Sequence, residues 1–99
     1  MAAYIIADVK VSDPEKYMGY TALTPHAISA AGGRLVVRGG QHEVLEGQWK
    51  PNRVVLIEFP NFAQAKAFYD SALYREAKAK RIGATEYFNM IVVDGVASA

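Results

Sequence analysis

Glu58 stands inside Val54-Val55-Leu56-Ile57-Glu58-Phe59, a run otherwise apolar enough for a buried β-strand. An unpaired charge in such a place costs several kcal/mol, so the carboxylate calls for a partner or a ligand. Alternation sets further charges on one face of two other strand-like segments: Asp8 and Lys10 on the first, Arg34 and Arg38 on the second. On that pattern Arg38 and Glu58 share the sheet face turned away from the helices. Two readings follow. Glu58 acts as a general acid or base, with Arg38 holding it or gripping an anionic ligand in a bidentate fashion. Alternatively the two residues form a buried ion pair that fixes strand register.

Tyr17, Tyr20, Tyr69 and Tyr74 carry flat apolar faces and hydroxyls, a lining suited to an aromatic or short carbonyl ligand. Their plain alternative is packing onto the sheet. Tyr69 and Tyr74 are the stronger ligand candidates because they flank an expected helix break at Asp70-Ser71, where side chains reach a cavity mouth. His26, directly after Pro25, is a candidate proton shuttle or haem ligand. A histidine with no partner at ligand spacing does not make a metal site, so no metal and no cofactor are expected. Arg81, closing a helical pattern, suits the helix dipole or an anion. No Gly-x-Ser-x-Gly elbow occurs, and the pairs Gly32-Gly33 and Gly39-Gly40 fit neither the phosphate loop nor the dinucleotide fingerprint.

The elements that must hold these residues are legible from periodicity. Residues 4 to 11 alternate, with Ile5, Ala7, Val9 and Val11 opposite Tyr4, Ile6, Asp8 and Lys10. Ser12-Asp13-Pro14-Glu15 then opens a helix whose apolar positions run from Tyr17 to Ala31, with Gly32-Gly33 ending it and Pro25 expected to kink or interrupt it. Arg34 to Arg38 and Arg53 to Phe59 read as strands joined by a hairpin connection over 41–52, with some strand pairing around Val44-Leu45. Asn61 and Gln64 cap a second helix, which Ser71 breaks and restarts before Gly83. Tyr87 to Val93 is the last strand.

This βαββαβ order predicts one α+β, ferredoxin-like domain over residues 1–99: a four-stranded antiparallel sheet with its helices on one face. The helices can shield Ile5, Val9, Leu35, Val37, Val55, Ile57, Phe88 and Met90. Ile6, Val36, Val54, Leu56 and Ile91 then point away with nothing in the chain to cover them. A second copy of the sheet is the simplest cover, so a homodimer is expected.

Composition points the same way. A 99-residue chain without cysteine has neither disulfide nor thiolate metal site to stiffen it, which favours oligomerisation. Eleven basic residues against ten acidic ones, scattered along the chain, leave no basic stripe for nucleic acid. No apolar run approaches the ~20 residues of a membrane span, and Asp8 comes too early for a signal-peptide core. The expectation is a soluble cytoplasmic protein that meets neither membrane nor nucleic acid.

The segments Gly33-Arg34, Val37-Arg38-Gly39-Gly40, Leu45-Glu46-Gly47, Arg53 to Pro60 and Ser71-Ala72-Leu73-Tyr74 together resemble one family, the domain of unknown function 1330, within the dimeric α+β barrel proteins. The resemblance spans nearly the whole chain. It implies a ferredoxin-like protomer and a dimeric barrel, and supplies no activity, substrate or catalytic residue. The wider superfamily includes cofactor-independent monooxygenases, muconolactone-type isomerases and haem enzymes, so the fold alone names no reaction.

The leading expectation is a homodimer that binds a small polar or aromatic molecule, anionic ones included, between sheet and helices through Arg38, Tyr69, Tyr74 and Tyr20. The competing enzyme reading is cofactor-independent isomerisation or oxygenation of an activated carbonyl compound, with Glu58 or His26 moving the proton. A third reading is an interaction or stress-response dimer without catalysis.

Overall fold

Alternation along β1 (Ala3–Val11) sets the two faces of the sheet. Ala3, Ile5, Ala7 and Val9 are buried, while the intervening Tyr4, Ile6 and Asp8 are only partly covered. In the computed structural model, which describes residues 1–97, β1 is followed by α1 (Pro14–Ala30), β2 (Arg34–Arg38), β3 (Arg53–Phe59), α2 (Phe62–Asp70), α3 (Ala72–Lys80) and β4 (Thr85–Asp94). The strands form one antiparallel sheet in the order β2-β3-β1-β4, and the helices cover one face, giving the ferredoxin-like α+β fold expected from the sequence.

Side-chain caps set the helix boundaries. Asp13 Oδ1 accepts from the Lys16 amide at 3.0 Å, and Asn61 Oδ1 accepts from the Gln64 amide at 2.8 Å. Ser71 does double duty: its hydroxyl donates to the Phe68 carbonyl at 2.7 Å and accepts from the Tyr74 amide at 3.1 Å. One residue thus ends α2 and begins α3, fixing the expected break.

Two local expectations are corrected. Pro25 does not interrupt α1, which runs through it. Proline leaves the carbonyl four residues earlier without an amide partner, and here the Thr24 hydroxyl reaches that Thr21 carbonyl at a long 3.5 Å. Nor does strand pairing extend to Val44-Leu45, where the chain has no regular structure. The connection is tied down instead by Asp8, which accepts from the Asn52 amide at 2.9 Å and from Trp49 Nε1 at 3.3 Å.

The register explains a third correction. β2 pairs Leu35 with Ile57 but Val37 with Leu56, so Val36 is an extra, bulged residue. One extra residue turns every later side chain to the other face. Val37 therefore joins Leu56, Ile6 and Ile91 in a row on the face away from the helices, and Arg38 joins Val55, Ala7 and Met90 on the helical face. The core lies between that helical face and the helices, around the fully buried Tyr74, Phe59, Phe68 and Val9.

Candidate functional site

Arg53 begins β3 on the same side as Val55, Ile57 and Phe59, so its stem runs into the core beside Val9 while its guanidinium reaches the sheet's end. It rests against Gly39, whose backbone is left-handed (φ +65°) and where a Cβ would stand 2.5 Å from a terminal guanidinium nitrogen. The bulge in β2 brings Arg38 to the same edge. These arginines border a cavity of about 60 Å³ between the sheet and α1. At roughly 10–15 Å³ per water by this measure, it takes about four to six waters, the size of a short organic acid.

Its inner wall is apolar, built from Ala7, Val9, Val55, Ile57, Phe68, Phe88 and Met90. Its polar groups are the two arginines, Thr21, Thr24, Tyr17 and Tyr20; among the described residues no carboxylate or imidazole lines it. Arg53 Nε is buried and has no hydrogen-bond partner among the described residues. A buried donor left in this state costs free energy that an acceptor in the cavity would recover.

The tyrosines stiffen the back of the site. Tyr20 and Tyr74 hydroxyls meet at 2.9 Å, and Tyr20 stands edge-on to both Tyr74 and Phe88. Burial, reinforced by Tyr74, pushes the Tyr20 hydroxyl far above the ordinary tyrosine value. Burial also raises Tyr17, with the positive charges of Arg53 and Arg81 opposing it. Both rings therefore serve as neutral hydrogen-bonding groups at neutral pH. They are not bases.

The expected residues do not all meet. Arg38 and Tyr20 line the cavity, whereas Tyr74 is fully buried behind it and contributes through Tyr20. Tyr69 borders a neighbouring cavity beneath α2 and stacks on Tyr74 with ring centroids 5.4 Å apart. His26 is exposed on α1 and lines neither cavity.

Glu58 occupies the opposite face of the sheet. It does not pair with Arg38: its carboxylate accepts from Arg34 Nε at 2.9 Å and from the Tyr4 hydroxyl at 3.1 Å. The Arg34 and Tyr4 hydrogen bonds hold its pKa below the ordinary glutamate value. The compensation demanded by the sequence is thus present, supplied by the strand neighbours on either side.

Arg53 and its orphaned nitrogen escaped the sequence reading, although period two from Val55 and Ile57 would have aimed it inward. Among the described residues no group of three or more His, Asp and Glu side chains could hold a metal ion, and no helix is long and apolar enough to cross a membrane.

The family description of the domain of unknown function DUF1330 matches residues 2–96. The chain belongs to this family. No curated protein matches this DUF1330 chain. Among solved structures it is similar to a protein of unknown function from Rhodopseudomonas palustris, with 21% identity over 98% of this chain and 84% of that one, at a TM-score of 0.73. A dimeric ferredoxin-like protein of unknown function from Jannaschia sp. CCS1 superposes with a TM-score of 0.68 at 10% identity, covering 96% and 100% of the two chains. A "putative antibiotic biosynthesis monooxygenase" from Caulobacter crescentus CB15 gives 0.62 at 14% identity over 97% and 91%. At such identities the likeness establishes the shared fold of the DUF1330 protomer and these proteins.

Proposed function

We propose that this DUF1330 protein is a cytoplasmic homodimer that binds a small organic anion, a short-chain carboxylate, in the cavity between sheet and α1. The observation that carries this reading is the buried, acceptor-free Arg53 Nε beside Arg38 at the edge of an otherwise apolar cavity. The carboxylate sits between the two arginines, and the carbon chain reaches inward towards Val9, Val55 and Met90. Tyr17 and Thr21 supply further hydrogen bonds.

Dimerisation is supported by the face away from the helices. There the row Val37, Leu56, Ile6 and Ile91 crosses all four strands, with Ile91 61% exposed in the single chain. A second sheet laid on this row removes it from water. The Jannaschia neighbour, described as dimeric, supports the same arrangement.

An enzyme reading, cofactor-independent oxygenation, is favoured by the monooxygenase names of the Caulobacter neighbour and of one from Nitrosomonas europaea. Within the cavity it lacks a base, since Glu58 lies behind the sheet and His26 lies outside. Binding is the better-supported role.

Calorimetric titration with propanoate and with its neutral analogue propanamide tests the proposal. Propanoate is expected to bind at least about tenfold more tightly than propanamide, and Arg53→Met to remove that preference. Equal affinity for the two probes, or propanoate binding that Arg53→Met leaves intact, refutes it.

A further inference from the structure

A second cavity lies on the other side of Phe88 and Met90, beneath α2 at the β4 edge. At about 370 Å³ it is much the larger of the two and opens to solvent. Its walls include Ile5, Ala65, Phe88 and Val92, and its charged groups are Arg81 and Lys66, both cations. Neither has a carboxylate within ion-pair distance among the described residues.

Arg81 is arranged in a particular way. Its guanidinium carbon sits 3.6 Å from the centre of the Phe88 ring, a cation–π stack, and its Nε is buried without a hydrogen-bond partner among the described residues. Tyr69, across the cavity, accepts a hydrogen bond from Lys78 Nζ at 2.6 Å. An ammonium group only donates, so the proton of the Tyr69 hydroxyl remains available to another acceptor. Two cations and a hydroxyl donor, with no acid among them, frame a space walled by aromatic and aliphatic carbon.

From this geometry we infer a second ligand site, for an aromatic carboxylate, separate from the short-chain site and independent of it. The carboxylate meets Arg81, Lys66 and the Tyr69 hydroxyl; the ring lies against Met90 and Val92. Size favours the larger site for this ligand: about 370 Å³ takes a ring and its carboxylate whole, with room to spare.

The test is amide-resolved NMR titration of the full chain with benzoate, benzamide and inorganic phosphate. Ala65 and Val92 report on this site, and Thr21 and Val55 report on the smaller one. Benzoate is expected to move Ala65 and Val92 saturably and at least about tenfold more tightly than benzamide or phosphate. Arg81→Met should weaken this at least about tenfold, and Arg53→Met should not change it. Lys66 is exposed, so Lys66→Met keeps the fold should Arg81→Met lose it, and about threefold to tenfold weakening is expected. Benzamide binding as well as benzoate, phosphate matching benzoate, or indifference to both Arg81→Met and Lys66→Met each overturns the inference. Failure of propanoate at Thr21 and Val55 would refute only the smaller site.

Discussion

The guanidinium of Arg53 occupies the space in which a Cβ of residue 39 would stand, 2.5 Å from a terminal nitrogen. Gly39 is thus part of how the arginine is aimed, since it both turns the chain out of β2 with φ +65° and leaves the side of the cavity clear. Gly39→Ala forces the guanidinium to move and adds backbone strain of about 1–2 kcal/mol. The expected outcome is a modest drop in denaturation midpoint together with at least tenfold weaker propanoate binding, read by denaturant unfolding and calorimetry. Unchanged affinity would show that Arg53 does not need this seat.

Tyr20→Phe isolates the buried hydroxyl pair. Removing one member leaves the Tyr74 hydroxyl, 0% exposed, without its 2.9 Å partner. A buried polar group abandoned in this way costs about 1–3 kcal/mol. The double variant Tyr20→Phe with Tyr74→Phe removes both groups and should recover much of that loss. Chemical denaturation of both single variants and the double variant checks this, with a double variant as unstable as the sum of the singles counting against a direct bond.

Much of this arrangement can be read from residue types, and the part that cannot has one cause. The Ser71 break, the Asn61 cap and the inward row Ile5, Ala7 and Val9 follow from capping chemistry and period two, which act locally. Arg34-Leu35-Val36-Val37-Arg38 obeys the same alternation on paper, yet the bulge at Val36 sends Arg34 and Arg38 to opposite faces. No residue there is special to a bulge; the extra residue is fixed by pairing with β3, a partner far along the chain. The pairing of Glu58 with Arg34 and the placing of Arg38 beside Arg53 both follow from that single register shift.

Acid pH should weaken the Arg34–Glu58–Tyr4 cluster selectively. The Arg34 and Tyr4 hydrogen bonds lower the folded pKa of Glu58 below its ordinary 4.5, so the carboxylate contributes stability that is complete above that value. The contribution is lost as pH falls through the lower folded value. Glu58→Gln should therefore be less stable than the parent at pH 7, and the gap should close in strongly acidic solution. Urea unfolding of both proteins across this range reads the difference directly; a gap that stays constant down to pH 2 would mean the charge itself contributes nothing.

Ile91→Asp addresses the sheet face away from the helices. Ile91 ends the row Val37, Leu56, Ile6 and Ile91 and is 61% exposed in the single chain, so an aspartate there costs an isolated protomer little. A second sheet covering the row would have to bury that carboxylate against apolar carbon. The dimer should therefore dissociate while the protomer keeps its fold. Sedimentation at micromolar concentration is expected to give a two-chain particle for the parent and a single-chain particle for Ile91→Asp, with unchanged far-ultraviolet dichroism. A parent that sediments as one stable chain would remove the paired-sheet arrangement, and a variant that stays dimeric would place the contact on another surface.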